Sequence, residues 1–268
     1  MPTILGEHAV VDPRANIDED VEIGPFCVVG PHVSIARGTR LLNHVTITGH
    51  VTIGRYNQFY PGVVIGGEPQ DLSYQGSPTE VVIGDHNIFR EAVTVNRATE
   101  KEDHVTTIGN ECFFMACSHI AHDCYIGDRV VMANCVLLGG HVHVGHHATI
   151  SGGSAVHHFA SVGEYTFVTG MSRVIHDVPP YMLLDGQPAR PRCINVVALR
   201  RNNFPERDVQ ALEEAHRLLY RAQVGVERAR DILHVNGHWV PCVSHLFNCL
   251  QTQAGGRHGR GRDRRKVA

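Results

Sequence analysis

VDPRANIDEDVEIGPFCVVGPHVSIARGTRLLNHVTITGHVTIGRYNQFYPGVVI, residues 11–65, places an aliphatic or aromatic residue at every sixth position. Val11, Ile17, Ile23, Val29, Ile35, Leu41, Ile47, Ile53, Phe59 and Ile65 follow without a slip. A small or β-branched residue tends to stand four places after each, as at Ala15, Val21, Cys27 and Val33. A helix repeats its apolar residues every ~3.6 positions and a half-buried strand every second one, so neither explains a period of six. A β-solenoid does. Each hexad becomes a short strand and a turn, three hexads of about 18 residues in all close a triangular coil, and coils stack ~4.8 Å apart as parallel strands. The leading residue points inward and the small residue fits the corner.

The same phase extends outward from this stretch. It breaks over 66–80, resumes at Ile83, Phe89 and Val95, breaks over 96–107, and then runs from Ile108 through Ile120, Leu138 and Val156 to Val174. The expectation is a β-class protein with a parallel β-helix over 1–190, from which loops 66–80 and 96–107 are extruded. Polar excursions from a rigid repeat are where binding usually resides. Pro179 and Pro180 end the pattern, and Pro188 and Pro191 suggest a linker. From Pro205 to about Leu233, apolar residues at Val209, Leu212, Leu219 and Val226 predict one or two amphipathic helices within a helical domain over 191–250. The remainder, 251–268, has a low-complexity basic end that reads as a disordered tail.

Composition narrows the function. The chain has 268 residues, 24 Lys+Arg against 27 Asp+Glu, and a formal net charge of -3, which supplies no global basic field for nucleic acid. No apolar run approaches the ~18 residues that span a bilayer, and the start lacks a cationic, apolar leader, so a cytoplasmic protein is expected. Eight cysteines without a CxxC pair read as reduced thiols, with Cys27, Cys112 and Cys124 at the small corner position and Cys135 beside one. Only two lysines occur, Lys101 and Lys266.

Among 20 histidines, one cluster stands out: His119, His122, His141 and His157. One coil of the repeat puts Gly140 above His122 and His141 above Asp123. That edge would hold an imidazole, a carboxylate, a second imidazole and a bare peptide N–H. Three readings fit: a general base with its orienting carboxylate and an oxyanion donor, a zinc site, or ordinary solvated histidines.

IGPFCVVGPHVSI (23–35), EPQDLSYQGSPT (68–79), SHIAHDCYIG (118–127), GGHVHVG (139–145), AVHHFASVG (155–163) and DVPPYM (177–182) carry a resemblance. From about residue 8 to 235 the chain resembles the bacterial acyl-carrier-protein–UDP-N-acetylglucosamine O-acyltransferases, which begin lipid A synthesis. The resemblance implies a left-handed parallel β-helix of hexapeptide repeats with a C-terminal α-helical domain, an exception to the usual right-handed crossover. It also implies a homotrimer with active sites between subunits, acyl carrier protein and UDP-N-acetylglucosamine as partners, and no metal or cofactor. His122 would be the general base that frees the sugar 3-hydroxyl to attack an (R)-3-hydroxyacyl thioester. Asp123 would fix its tautomer and the Gly140 amide would hold the oxyanion. Gln70 and Asp71 match the loop that contacts the sugar nucleotide. His119, His141 and His157 match positions lining the acceptor and acyl sites, and Asn195 and Arg201 match distal nucleotide contacts. Gly170, beside Met171, matches the acyl channel.

The chain departs from the family pattern at Ser73, where a lysine is usual, and at His158, Val197 and Asn202. Arg173, Arg190, Arg192, Arg200 and Arg207 could supply the basic patch for an acidic carrier. A close rival keeps the chemistry but transfers to an amine of a 3-amino sugar nucleotide. The N-acylating sibling carries an extra domain before its hexads, and here they begin by Val11. A zinc hydrolyase built on His119, His122 and His141, and a catalytically silent scaffold, are the readings from other classes.

Overall fold

Leading hexad residues form the core the period requires. From Ile23 to Val174 every one of them is buried, at most 3% exposed, while Val11 and Ile17 at the open end are half-buried. The computed structural model describes residues 3–254 and 259–262. Most strands are two residues long and pair in parallel with the strand one coil away, as in Ile120 with Leu138 and Ile126 with Val144. They build three sheets of 11, 9 and 8 strands, the faces of a prism. Inside, Phe59, Phe89 and Phe114 stack with centroids 4.7 and 4.9 Å apart, so large aromatics fill successive coils along one wall. Burial of each such side chain contributes roughly 1.5–3 kcal/mol.

Every coil turns three corners, and at many of these a residue other than glycine takes the left-handed conformation. Asp123 (φ +58°), His141 (+62°) and Phe159 (+62°) occupy it on successive coils of one edge. Asp and His are among the residues that tolerate this region best. The rings of His141 and Phe159 stack there at 4.1 Å with 2° between planes.

Two coils are longer than the rest. Glu80 pairs with His50 and Val105 with Glu80, so the chain leaves the helix after Gly67 and after Asn96 and returns in register. The excursions are the two expected loops, slightly shorter than read because their ends are strand.

The C-terminal part corrects three expectations. The supposed linker is an antiparallel hairpin, Met182–Gly186 with Ala189–Ile194, that continues the 11-stranded sheet, so position 190 lies inside a strand. Pro188 sits in its turn and Pro191 at an irregularity in its register, where a missing N–H is tolerated. The helical part holds more than was read: α1 (Val196–Arg201), α2 (Glu206–His216), a π-helical turn at Arg217–Arg221, α3 (Val226–Val235) and α4 (Pro241–Ala254). Val209 and Leu212 are buried as expected, but Val226 is 38% exposed. α4 contributes Val243, Leu246 and Phe247 to the core and occupies the first residues of the supposed tail. Gly259–Arg262 form a single 3-10 turn, and the rest of that tail lies outside the described residues. All eight cysteines are free thiols; Cys27, Cys112 and Cys124 are buried at corners, while Cys135 is exposed with φ +58°.

Candidate active site

Stacking of strand His119–Ile120 beneath Leu137–Leu138 fixes the next residues of each coil as well, and His141 N–H donates to the His122 carbonyl at 3.0 Å. Gly140 therefore lies directly over the His122 ring. An ideal Cβ at Gly140 would stand 2.4 Å from Cε1 and 2.6 Å from Nε2 of that imidazole. Glycine is needed here for space. Its φ is ordinary, and no hydrogen bond among the described residues engages its N–H.

Asp123 Oδ2 lies 2.7 Å from His122 Nδ1. The carboxylate accepts there, which in the neutral ring places the proton on Nδ1 and the lone pair on Nε2. His122 and Asp123 are 8% and 4% exposed. Burial pushes the Asp123 carboxyl up, but hydrogen bonds from His122 and Thr99, with the nearby His141, more than offset it and leave the group below the usual carboxylate range. The stabilisation this gives is present above the ordinary carboxylate range and is lost as pH falls from there through the lowered native value.

Residues of the second loop complete the site, and these were not singled out from the sequence. Thr99 donates its N–H to both Asp123 oxygens at 3.1 Å and its hydroxyl to Oδ2 at 2.7 Å. Glu102 Oε2 lies 3.0 Å from His141 Nδ1. Lys101 pairs with Asp71, whose Oδ2 is 3.9 Å from His122 Nε2. Ser73 N–H and hydroxyl donate to the other Asp71 oxygen at 2.9 and 2.7 Å. Thr99→Val, which keeps the shape but removes the hydroxyl, is expected to lower kcat ~10-fold with KM unchanged, since a hydrogen bond to a charged group contributes about 1.5–3 kcal/mol. Steady-state kinetics checks this; an unchanged kcat would show that Asp123 is held without it.

Gln70, Asp71, His122, Gly140, His141 and His158 converge on a cavity of about 340 Å³. His119 stands on the adjacent face with Nδ1 2.7 Å from Thr94 Oγ1, and burial followed by the charge of His122 lowers its pKa. His157 lies two coils higher, near the His158 carbonyl and the Arg260 guanidinium. Gly170 and Met171, both exposed, belong to a different corner of the prism, stacked over Gly152 and Gly153. Asn195 caps α1, its Oδ1 accepting from Ala198 N–H and its Nδ2 donating to the Tyr165 carbonyl. Arg201 is exposed at the end of α1. Of the departures, Asn202 caps the other end of α1 and Val197 is 60% exposed. Among the carrier-facing candidates, Arg200 is held bidentately by Glu206.

Among the described residues of one chain, His119 does not join His122 and His141 in a metal-sized cluster. The atoms close enough to hold a metal, within 4.8 Å of one another, belong to His122, Asp123 and His141. Asp123 already accepts four contacts there, which suits an orienting carboxylate better than a ligand. A larger groove of about 630 Å³ follows another corner, where Arg129 pairs with Glu111 and His146 with Asp128 in a ladder that joins successive coils.

The model of the second domain of UDP-N-acetylglucosamine O-acyltransferase matches residues 177–261, and the bacterial transferase hexapeptide model matches 2–37 and 106–140. The acyl-[acyl-carrier-protein]–UDP-N-acetylglucosamine O-acyltransferase of Thermodesulfovibrio yellowstonii is 41% identical over 252 residues, 94% of this chain and 98% of that protein. Its namesake in Stutzerimonas stutzeri is 38% identical over 255 residues, 95% and 98% of the two chains. Among solved structures, LpxA from Bacteroides fragilis superimposes with a TM-score of 0.91 at 30% identity, covering 96% of this chain and 99% of that one. LpxA from Acinetobacter baumannii gives 0.89 at 35% identity, covering 93% and 97%. The β-helix is thus left-handed, as the resemblance implied. Identity at this level along nearly the whole length places the chain in the acyl-[acyl-carrier-protein]–UDP-N-acetylglucosamine O-acyltransferase family.

Proposed function

We propose that this protein transfers an (R)-3-hydroxyacyl group from acyl carrier protein to the 3-hydroxyl of UDP-N-acetylglucosamine, with His122 as general base. One observation carries the mechanism: a tautomer-fixed imidazole lies directly beneath a glycine amide on the wall of the cavity. A sugar hydroxyl is a poor nucleophile while protonated, and Nε2 of His122 accepts its proton as the oxygen attacks the thioester carbon. Negative charge moves to the carbonyl oxygen, where the Gly140 N–H is available to receive it. Collapse expels the carrier thiolate, which the imidazolium reprotonates. Both halves proceed with the residues present, so the step is proposed to need no metal or cofactor.

Gln70 and Asp71, on the first loop, line the cavity, where they would face the acceptor. Gly170 and Met171, placed by the resemblance along the acyl chain, sit on another corner of the same prism. A site that uses both corners requires a second copy of the chain, which supports a homotrimer with shared active sites. Asn195 and Arg201, as distal nucleotide contacts, would be supplied across the same boundary. No helix among the described residues is long and apolar enough to cross a membrane.

Purified protein offered UDP-N-acetylglucosamine and its 3-amino counterpart, with carrier thioesters of graded length, tests the acceptor. Mass spectrometry is expected to find the ester formed faster. Faster amide formation would favour the amine acceptor.

A further inference from the structure

Two carboxylates flank His122: Asp123 at Nδ1 and Asp71 at Nε2, 2.7 and 3.9 Å away. Uncompensated, a pair of anions stabilises the imidazolium and would keep the base protonated where it is needed free. The chain has one lysine other than Lys266, and it stands at this spot: Lys101, from the second loop, hydrogen-bonds Asp71 Oδ2, the oxygen nearest Nε2. Burial alone would raise the Asp71 carboxyl, but the hydrogen bonds from Lys101 and Ser73 outweigh it and hold it well below the usual range, so Asp71 stays an anion. Among the described residues, Lys101 is the cation that pairs with it.

We infer that Lys101 is a positioning residue for the acyl transfer: by neutralising Asp71 it lets His122 act as an unprotonated base, and it ties the first extruded loop to the second across the cavity. This rests on the reading of His122 as the base. The other described groups facing His122 do not substitute for Lys101. His141 meets it edge-on at 5.2 Å and is itself paired with Glu102; His119 is pushed toward its neutral form; His158 lines the cavity one coil above Gly140. Among the described residues that line this cavity or pair with its carboxylates, the permanent cation is Lys101. Ser73, where the family's loop lysine would stand, hydrogen-bonds the far oxygen of the same carboxylate, so the cation reaches Asp71 from the other loop.

The sign of the effect is fixed. Removing the ammonium leaves an extra negative charge beside Nε2, which favours the protonated ring, so higher pH is needed to free the base. Lys101→Ala is expected to move the acid limb of the kcat/KM profile up by about one pH unit. That corresponds to a loss of ~10-fold on the limb at low pH, with little loss at high pH. Lys101→Arg is expected to restore the limb. In an Asp71→Asn background, where no charge remains to balance, Lys101→Ala is expected to leave the limb where Asp71→Asn alone puts it. A loss uniform across pH, which a structural role would give, or an unmoved limb overturns the inference. If the limb is unmoved while His122→Ala is inactive, Lys101's role alone falls; if His122→Ala keeps the wild-type rate, the base reading falls with it.

Discussion

His122→Ala is expected to reduce acyl transfer at least ~100-fold at neutral pH, the usual contribution of a positioned general base. The protein should still fold. The imidazole is outside the apolar column that fills the prism, and Asp123 keeps its three contacts from Thr99 when the ring is gone. The measurement pairs single-turnover transfer with thermal melting. A folded variant at wild-type rate would remove His122 from the mechanism. Loss of both rate and melting transition would point instead to a structural role for the corner.

A change that leaves every catalytic side chain in place should be nearly as damaging. In Gly140→Ala, the added methyl would fall 2.4 to 2.6 Å from two ring atoms of His122. Real Cβ atoms do not approach so closely, so the ring or the coil must move. The backbone at Gly140 is not left-handed, so the cost is crowding rather than strain. Displacing the base by an ångström while crowding the amide proposed to hold the oxyanion should lower kcat by ~10²- to 10³-fold. KM for the nucleotide, proposed to rest on groups such as Gln70 that also line the cavity, should change little. Full activity in this variant would separate Gly140 from the reaction.

These two effects come from one fact that the sequence already carried. A strict period of six fixes which residues stack, and stacking one coil apart puts Gly140 over His122. The hexad leaders are buried for the same reason: a repeat constrains each position many times over. Where the repeat stops, so does this leverage. Thr99, Lys101 and Glu102 reach Asp123, Asp71 and His141 from an insertion with no period to set its register, and only the folded chain shows which partner each one meets. The hairpin at 182–194 was hidden by Pro188 and Pro191, which punctuate loops far more often than the turn and irregular strand they occupy here. α4 was hidden by its mixed surface, because its Val243, Leu246 and Phe247 bury against other helices rather than along a repeat. Positions taken from the resemblance alone divide by corner. Gln70 and Asp71 line the cavity with His122, whereas Gly170, Asn195 and Arg201 lie elsewhere in the same chain, where the proposed shared site would draw them from a second copy.

The central claim is that this edge deprotonates one particular hydroxyl of the acceptor. It is tested most directly by replacing UDP-N-acetylglucosamine with its 3-deoxy analogue in the purified transfer reaction. The account predicts that the analogue competes with the natural acceptor for binding yet gains no acyl group by mass spectrometry. Acylation of the analogue at the rate of the natural acceptor would contradict it, because the group receiving the acyl chain would then not be the one His122 is proposed to activate.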